Sequence, residues 1–185
     1  LTLCAVYKLH LYTITFVDGD GNQFYQYGAS SKDPIVPPIA IPGKDDSGFE
    51  NIETFYHFIG YSALSEGGAS ALVDFASGRV FPTQDTTYYA QFEEANIYDY
   101  PLELKHLLWM DAYGSTTEVE IALKSAYGFR GKICIPRTIE VNGVNKNVVS
   151  ILGTTLADDG GVQQNDFNNN SRLTHIFVMG TKDDT

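Results

Sequence analysis

The sequence predicts a mainly β protein of the α+β class, and three observations point there. Short runs alternate apolar and polar side chains, the period-two signature of a half-buried strand. Turn signals rich in Asp, Asn and Gly separate those runs. A single stretch, residues 96–110, carries leucines at helical spacing.

Residues 1–10, LTLCAVYKLH, alternate like a strand, and laying Thr2 on Thr87 puts Ala5 on Ala90 and Tyr7 on Phe92. They read as the last strand of a preceding repeat. Next, Tyr12, Ile14 and Phe16 alternate with Thr13, Thr15 and Val17 up to the turn DGDG, Asp18 to Gly21. A partner strand carries Phe24, Tyr25 and Tyr27 as far as Gly28. The segment DPIVPPIAIPG then holds too much proline for a central strand or a helix and reads as a rigid connector.

A third strand is FYHFIGYS, with Phe55, His57 and Ile59 on one face and Tyr56, Phe58 and Gly60 on the other. A Gly and Ser loop from Ser65 to Ser70 leads through VDFASGRVFPTQDT to the strand TTYYAQFEE, which completes a β-rich unit. From Asn96 to Met110 a helix is expected, with Pro101 in its first turn and Leu102, Leu104, Leu107 and Leu108 on one side. Beyond it, EVEIALK and GKICIPRTIEV read as strands, and the NG turn at Asn142 and Gly143 leads into NVVSIL. A polar loop from Thr154 to Arg172 precedes a last strand, LTHIFVM.

At 185 residues the chain has room for two small domains, and 43% hydrophobic with 13% aromatic residues places it among globular proteins. The expected division is 1–10 as the tail of a preceding repeat, 11–94 as a first module and 95–185 as a second. The formal net charge of -11 repels phosphate backbones and anionic lipid, so neither nucleic acid nor a membrane is an expected partner. No apolar run approaches a membrane span. Cys4 and Cys134 fall in different modules and are not expected to pair. The chain opens on Leu1 with no signal-like segment, and reads as an excerpt of a larger protein.

Few motifs suggest chemistry. Asp18, Asp20 and Asn22 stand at the first, third and fifth positions of a calcium loop, but its twelfth position is Ala29, where a bidentate Glu is needed, so a tight turn explains DGDGN more simply. His10, His57, His106 and His175 are scattered, with no metal spacing and no nucleophile beside them. The pairs Glu93–Glu94, Asp45–Asp46 and Asp158–Asp159 are adjacent in sequence, so their side chains diverge on a strand or lie solvated in a loop. GFRGK lacks the P-loop spacing. No catalytic residue, metal ligand or cofactor is assigned. Most of the 12 tyrosines and 11 phenylalanines should be packed, and Tyr98, Tyr100 and Tyr113 are the candidates for a binding surface.

The phrases YTITFVDGDG, QYGAS with DP, FIGYS and DFASGRVFPTQDTTYYAQF follow one another across residues 11–94. On these the first module resembles the Listeria–Bacteroides repeat, also called the internalin B-repeat, of bacterial surface proteins. Tyr61 stands where that family usually has tryptophan, and the loop from Ile39 to Thr54 is long. The resemblance implies a small β-grasp-like fold and a spacer or adhesive role.

In the second module GKICIP, EVNG with VVSI, and NNNSRLTHIFV resemble the BspA-type leucine-rich repeat, which implies the start of a solenoid, truncated after little more than one repeat. The insertion LADDGGVQQND departs from that pattern. Together the resemblances imply a non-catalytic spacer and display segment of an extracellular protein, on a bacterial cell surface or a phage virion. Its partners would be a protein or glycan receptor and neighbouring repeats of the same chain. Two further readings are a bacteriophage appendage with the same modules and an ancillary module of a secreted hydrolase.

Overall fold

The computed structural model describes residues 9–152, 155–156, 162–163 and 173–180. Strands make up 46% and helix 7%, so the protein is mainly β. Among the described residues the helix is confined to short 3-10 turns. Of the strand expected over residues 1–10, all but Leu9 and His10 lies outside the described residues, as does most of the loop from Thr154 to Arg172.

Two compact units interleave along the chain: one holds Leu1–Pro38 and Phe58–Glu93, the other Ile39–His57 and Glu94–Thr185. The first contains strands β1 (Leu11–Val17), β2 (Gln23–Ser30), β3 (Thr54–Ser62) and β4 (Thr86–Asn96), with the division falling inside β3 and β4. They form one sheet in the order β2-β1-β4-β3. β1 runs antiparallel to β2, with Ile14 opposite Tyr27, and parallel to β4, with Phe16 opposite Tyr88. The period-two pattern of β1 sends Ile14 and Phe16 inward, where they are fully buried. Phe16 meets Tyr61 edge-on at 4.8 Å and stacks on Tyr88 at 5.6 Å.

At the β1–β2 turn the Asp18 carboxylate accepts the N–H groups of Asp20 (3.1 Å) and Asn22 (2.8 Å). This is the reason an aspartate begins the turn. Gln91, buried in β4, fixes the loop after β3: its Oε1 accepts Gly68 N–H at 2.8 Å and its Nε2 donates to the Leu64 carbonyl at 3.2 Å.

The second unit holds β5 (Leu107–Asp111), β6 (Glu118–Leu123), β7 (Gly131–Ile135), β8 (Thr138–Val141), β9 (Val144–Ile151), β10 (Thr155–Leu156), β11 (Val162–Gln163) and β12 (Leu173–Val178). One sheet has the order β5-β6-β9-β8, β12 lies parallel to β7, and β10 and β11 pair with each other. Asn142 and Gly143 both take positive φ, 51° and 79°, as a two-residue hairpin between twisted strands requires. The core gathers Leu102, Leu107, Val119, Ile121, Leu123, Phe129, Ile133, Ile135, Ile139 and Val141. Ile41 of the proline-rich connector packs on it and donates its N–H to the Tyr127 carbonyl at 2.9 Å.

The helix expected from Asn96 to Met110 does not form. In its place stand a 3-10 turn at Ile97–Asp99, an extended link, a second 3-10 turn at Leu104–His106, and strand β5. Pro101 excludes its predecessor from the α region, and Tyr100 sits at φ -128°, ψ 59°. The Leu102 N–H goes to the Cys134 carbonyl at 2.8 Å, and Leu107 pairs with Leu123. The leucines reach the core from extended backbone, so burial is satisfied without a helical period.

Candidate functional site

The Tyr98–Tyr100 region is built from the end of β4. Asn96 caps the 3-10 turn, its Oδ1 accepting the Tyr98 N–H at 3.0 Å, and Ile97 anchors the turn as a buried side chain whose N–H donates to the Glu53 carbonyl at 2.8 Å. The next three residues, Tyr98, Asp99 and Tyr100, all face solvent.

Each tyrosine is braced by rings from a different part of the second unit. Tyr98 is 38% exposed and meets Phe177 of β12 edge-on at 5.7 Å, and Phe177 lies 6.2 Å from the exposed His175. Tyr100 is 39% exposed and lies nearly parallel to the His57 ring, centroids 3.7 Å apart, with Phe55 at 6.1 Å. Phe55 and His57 share one face of β3 because they are two residues apart on a strand. Among the described residues no salt bridge involves Asp99. The arrangement is two outward tyrosines with a carboxylate between them in the chain, on rings whose positions are set from behind.

The start of β3 is itself held from below. Lys132 donates from Nζ to the Thr54 carbonyl at 2.7 Å and lies 3.6 Å from Asp46 Oδ2. Lys44 sits over the Tyr56 ring at 3.8 Å, and Phe49 contacts the same ring at 4.8 Å.

Of the three tyrosines singled out in the sequence, Tyr98 and Tyr100 flank Asp99 in this region. Tyr113 is 107% exposed at the tip beyond β5 and has no ring partner among the described residues. Sequence reasoning did not find Phe55, His57 and Phe177 as bracing rings. The alternation of FYHF marks the first two as sharing a face, while nothing local to LTHIFV marks Phe177 as a partner of Tyr98.

Several of the remaining candidates do structural work. Asp46 turns to Lys132, while Asp45 accepts the Ser47 N–H at 2.9 Å, which holds its carboxyl below the usual range. Cys134 is buried as a free thiol, and burial raises its pKa. Cys4, Asp158 and Asp159 lie outside the described residues. Among the described residues no group of three His, Cys, Asp or Glu side chains is placed to hold a metal ion. No helix there is long and apolar enough to cross a membrane.

No family model, no curated protein and no solved structure matches this chain.

Proposed function

We propose that the chain is a non-catalytic structural and adhesive repeat segment of a large extracellular surface protein, serving as a spacer and displaying a surface that takes a protein or glycan receptor. The observation that carries this reading is the outward Tyr98–Asp99–Tyr100 segment. Partly exposed tyrosines on a braced β scaffold are the side chains that give large contact area at low cost in lost rotamer freedom.

Two features of the sheets support the modular part of the reading. The order β2-β1-β4-β3 with a parallel centre fits a β-grasp-like sheet, although the passage from β2 to β3, where a β-grasp domain carries its helix, is the proline-rich connector and holds no helix among the described residues. The parallel pairing of β7 with β12, Ile133 opposite Ile176 and Ile135 opposite Val178, fits successive strands of a leucine-rich solenoid.

The test presents the whole chain to a panel of immobilised glycans and proteins, alongside Tyr98→Ala/Tyr100→Ala and Tyr113→Ala. The reading expects binding that the double variant loses and Tyr113→Ala keeps. A wild-type chain that binds nothing, or binding indifferent to the double variant, would count against it.

A further inference from the structure

We infer that the Tyr98–Asp99–Tyr100 segment takes a cationic side chain, arginine or lysine, from a basic partner protein. This rests on the display reading above and names the ligand chemistry of the same surface. A tyrosine face carries the negative side of the ring quadrupole and attracts cations. Tyr98 and Tyr100 each leave part of their ring to solvent, and the carboxylate between them in sequence is exposed and in no salt bridge among the described residues. A guanidinium suits both chemistries, since its edge donates to a carboxylate and its plane lies on a ring.

Charge selects the partner. A formal net charge of -11 draws basic proteins and repels phosphate and anionic glycans, while a neutral glycan gains nothing from it. The same unit already uses this chemistry internally: Lys44 sits 3.8 Å from the Tyr56 ring centroid, and Lys146 lies 5.4 Å over Trp109 while paired with Asp111. That second site is an ammonium held between an aromatic face and a carboxylate. The outer tyrosines are set in advance by Phe177, His57 and the Asn96 cap, so binding orders little that is free beforehand.

The experiment titrates the whole chain, carrying isotope-labelled tyrosine, with a short capped Gly-Arg peptide, with the same peptide bearing uncharged citrulline for arginine, and with a neutral glucose oligosaccharide. The expected result is that the arginine peptide shifts the Tyr98 and Tyr100 ring signals, added salt weakens the effect, and Asp99→Asn weakens it by roughly three- to tenfold. Since Asp99 is exposed and in no salt bridge among the described residues, that variant should keep the wild-type circular dichroism spectrum. Equal shifts from the citrulline peptide, or no change on Asp99→Asn, overturn the inference. Shifts from the oligosaccharide alone, or no shift from any probe, overturn it while leaving the display reading to the panel of glycans and proteins.

Discussion

The Lys132 ammonium is buried, its side chain 5% exposed, and lies 3.6 Å from an Asp46 carboxylate that is 11% exposed. This pair ties the connector between β2 and β3 to β7, and a hydrogen bond from the same ammonium to the Thr54 carbonyl positions the strand that carries Phe55 and His57. Removing one member of a buried pair leaves the other charged and unpaired, which costs more than the pair itself contributes. Asp46→Ala and Lys132→Met should therefore each destabilise the second unit by about 3 kcal/mol. Urea unfolding followed by Trp109 fluorescence reads this directly, because the chain's single tryptophan lies in that unit. Small losses for both variants would contradict the assignment.

Tyr61 presents the opposite case. Its hydroxyl is buried among Phe16, Phe58 and Phe75 with no hydrogen-bond partner among the described residues, and burial raises its pKa. A buried hydroxyl without a partner costs stability. Tyr61→Phe should stabilise the first unit by about 1 kcal/mol, seen as a higher thermal midpoint in near-ultraviolet circular dichroism.

Gly67 is required by close approach. A Cβ there would stand 2.3 Å from Ser62 Oγ and 2.9 Å from Ala71 Cβ, and Ser62 is fully buried. Gly67→Ala is expected to cost about 2 kcal/mol, whereas Gly48→Ala, which meets nothing within 4 Å, should stay within about 0.5 kcal/mol of wild type. Chemical denaturation of the two variants gives the comparison.

His106 makes the second unit sensitive to pH. Its Nδ1 accepts the Glu103 N–H at 3.0 Å, and its ring meets Tyr127 edge-on at 4.9 Å. Burial holds its pKa below the ordinary imidazole value, and the neighbouring Lys105 acts in the same direction. The folded chain thus favours the neutral ring, while the unfolded chain takes up a proton at about pH 6.5. The stability from this group is complete above that pH and is lost as pH falls below it. The Trp109-detected urea midpoint should drop between pH 7.5 and pH 5.5, and His106→Asn should shrink the drop.

Much of the fold is legible in local sequence pattern. Ile14 and Phe16 announce β1 because a sheet with one buried face forces period two, and Asn142–Gly143 announces its hairpin because both positions need positive φ. The expected helix fails because the leucines after Pro101 admit two solutions, and pairing of Leu107 with Leu123 decides between them. Tyr98 and Tyr100 are legible as candidates from the aromatic excess and their place near the join of the two expected modules. Their braces are not: Phe177 and His57 reach them only through tertiary packing, and no spacing in the sequence links Lys132 to Asp46.

The most direct measurement is hydroxyl-radical footprinting by mass spectrometry of the chain, free and bound to whichever surface the glycan and protein panel identifies. In the free chain Tyr98, Tyr100 and Tyr113 should be labelled while buried Tyr61 and Tyr88 are spared. On binding, Tyr98 and Tyr100 should become protected and Tyr113 should not. Labelling of Tyr98 and Tyr100 that is unchanged in the bound state, or a panel with no bound surface at all, would contradict the display of a receptor-binding surface by this chain.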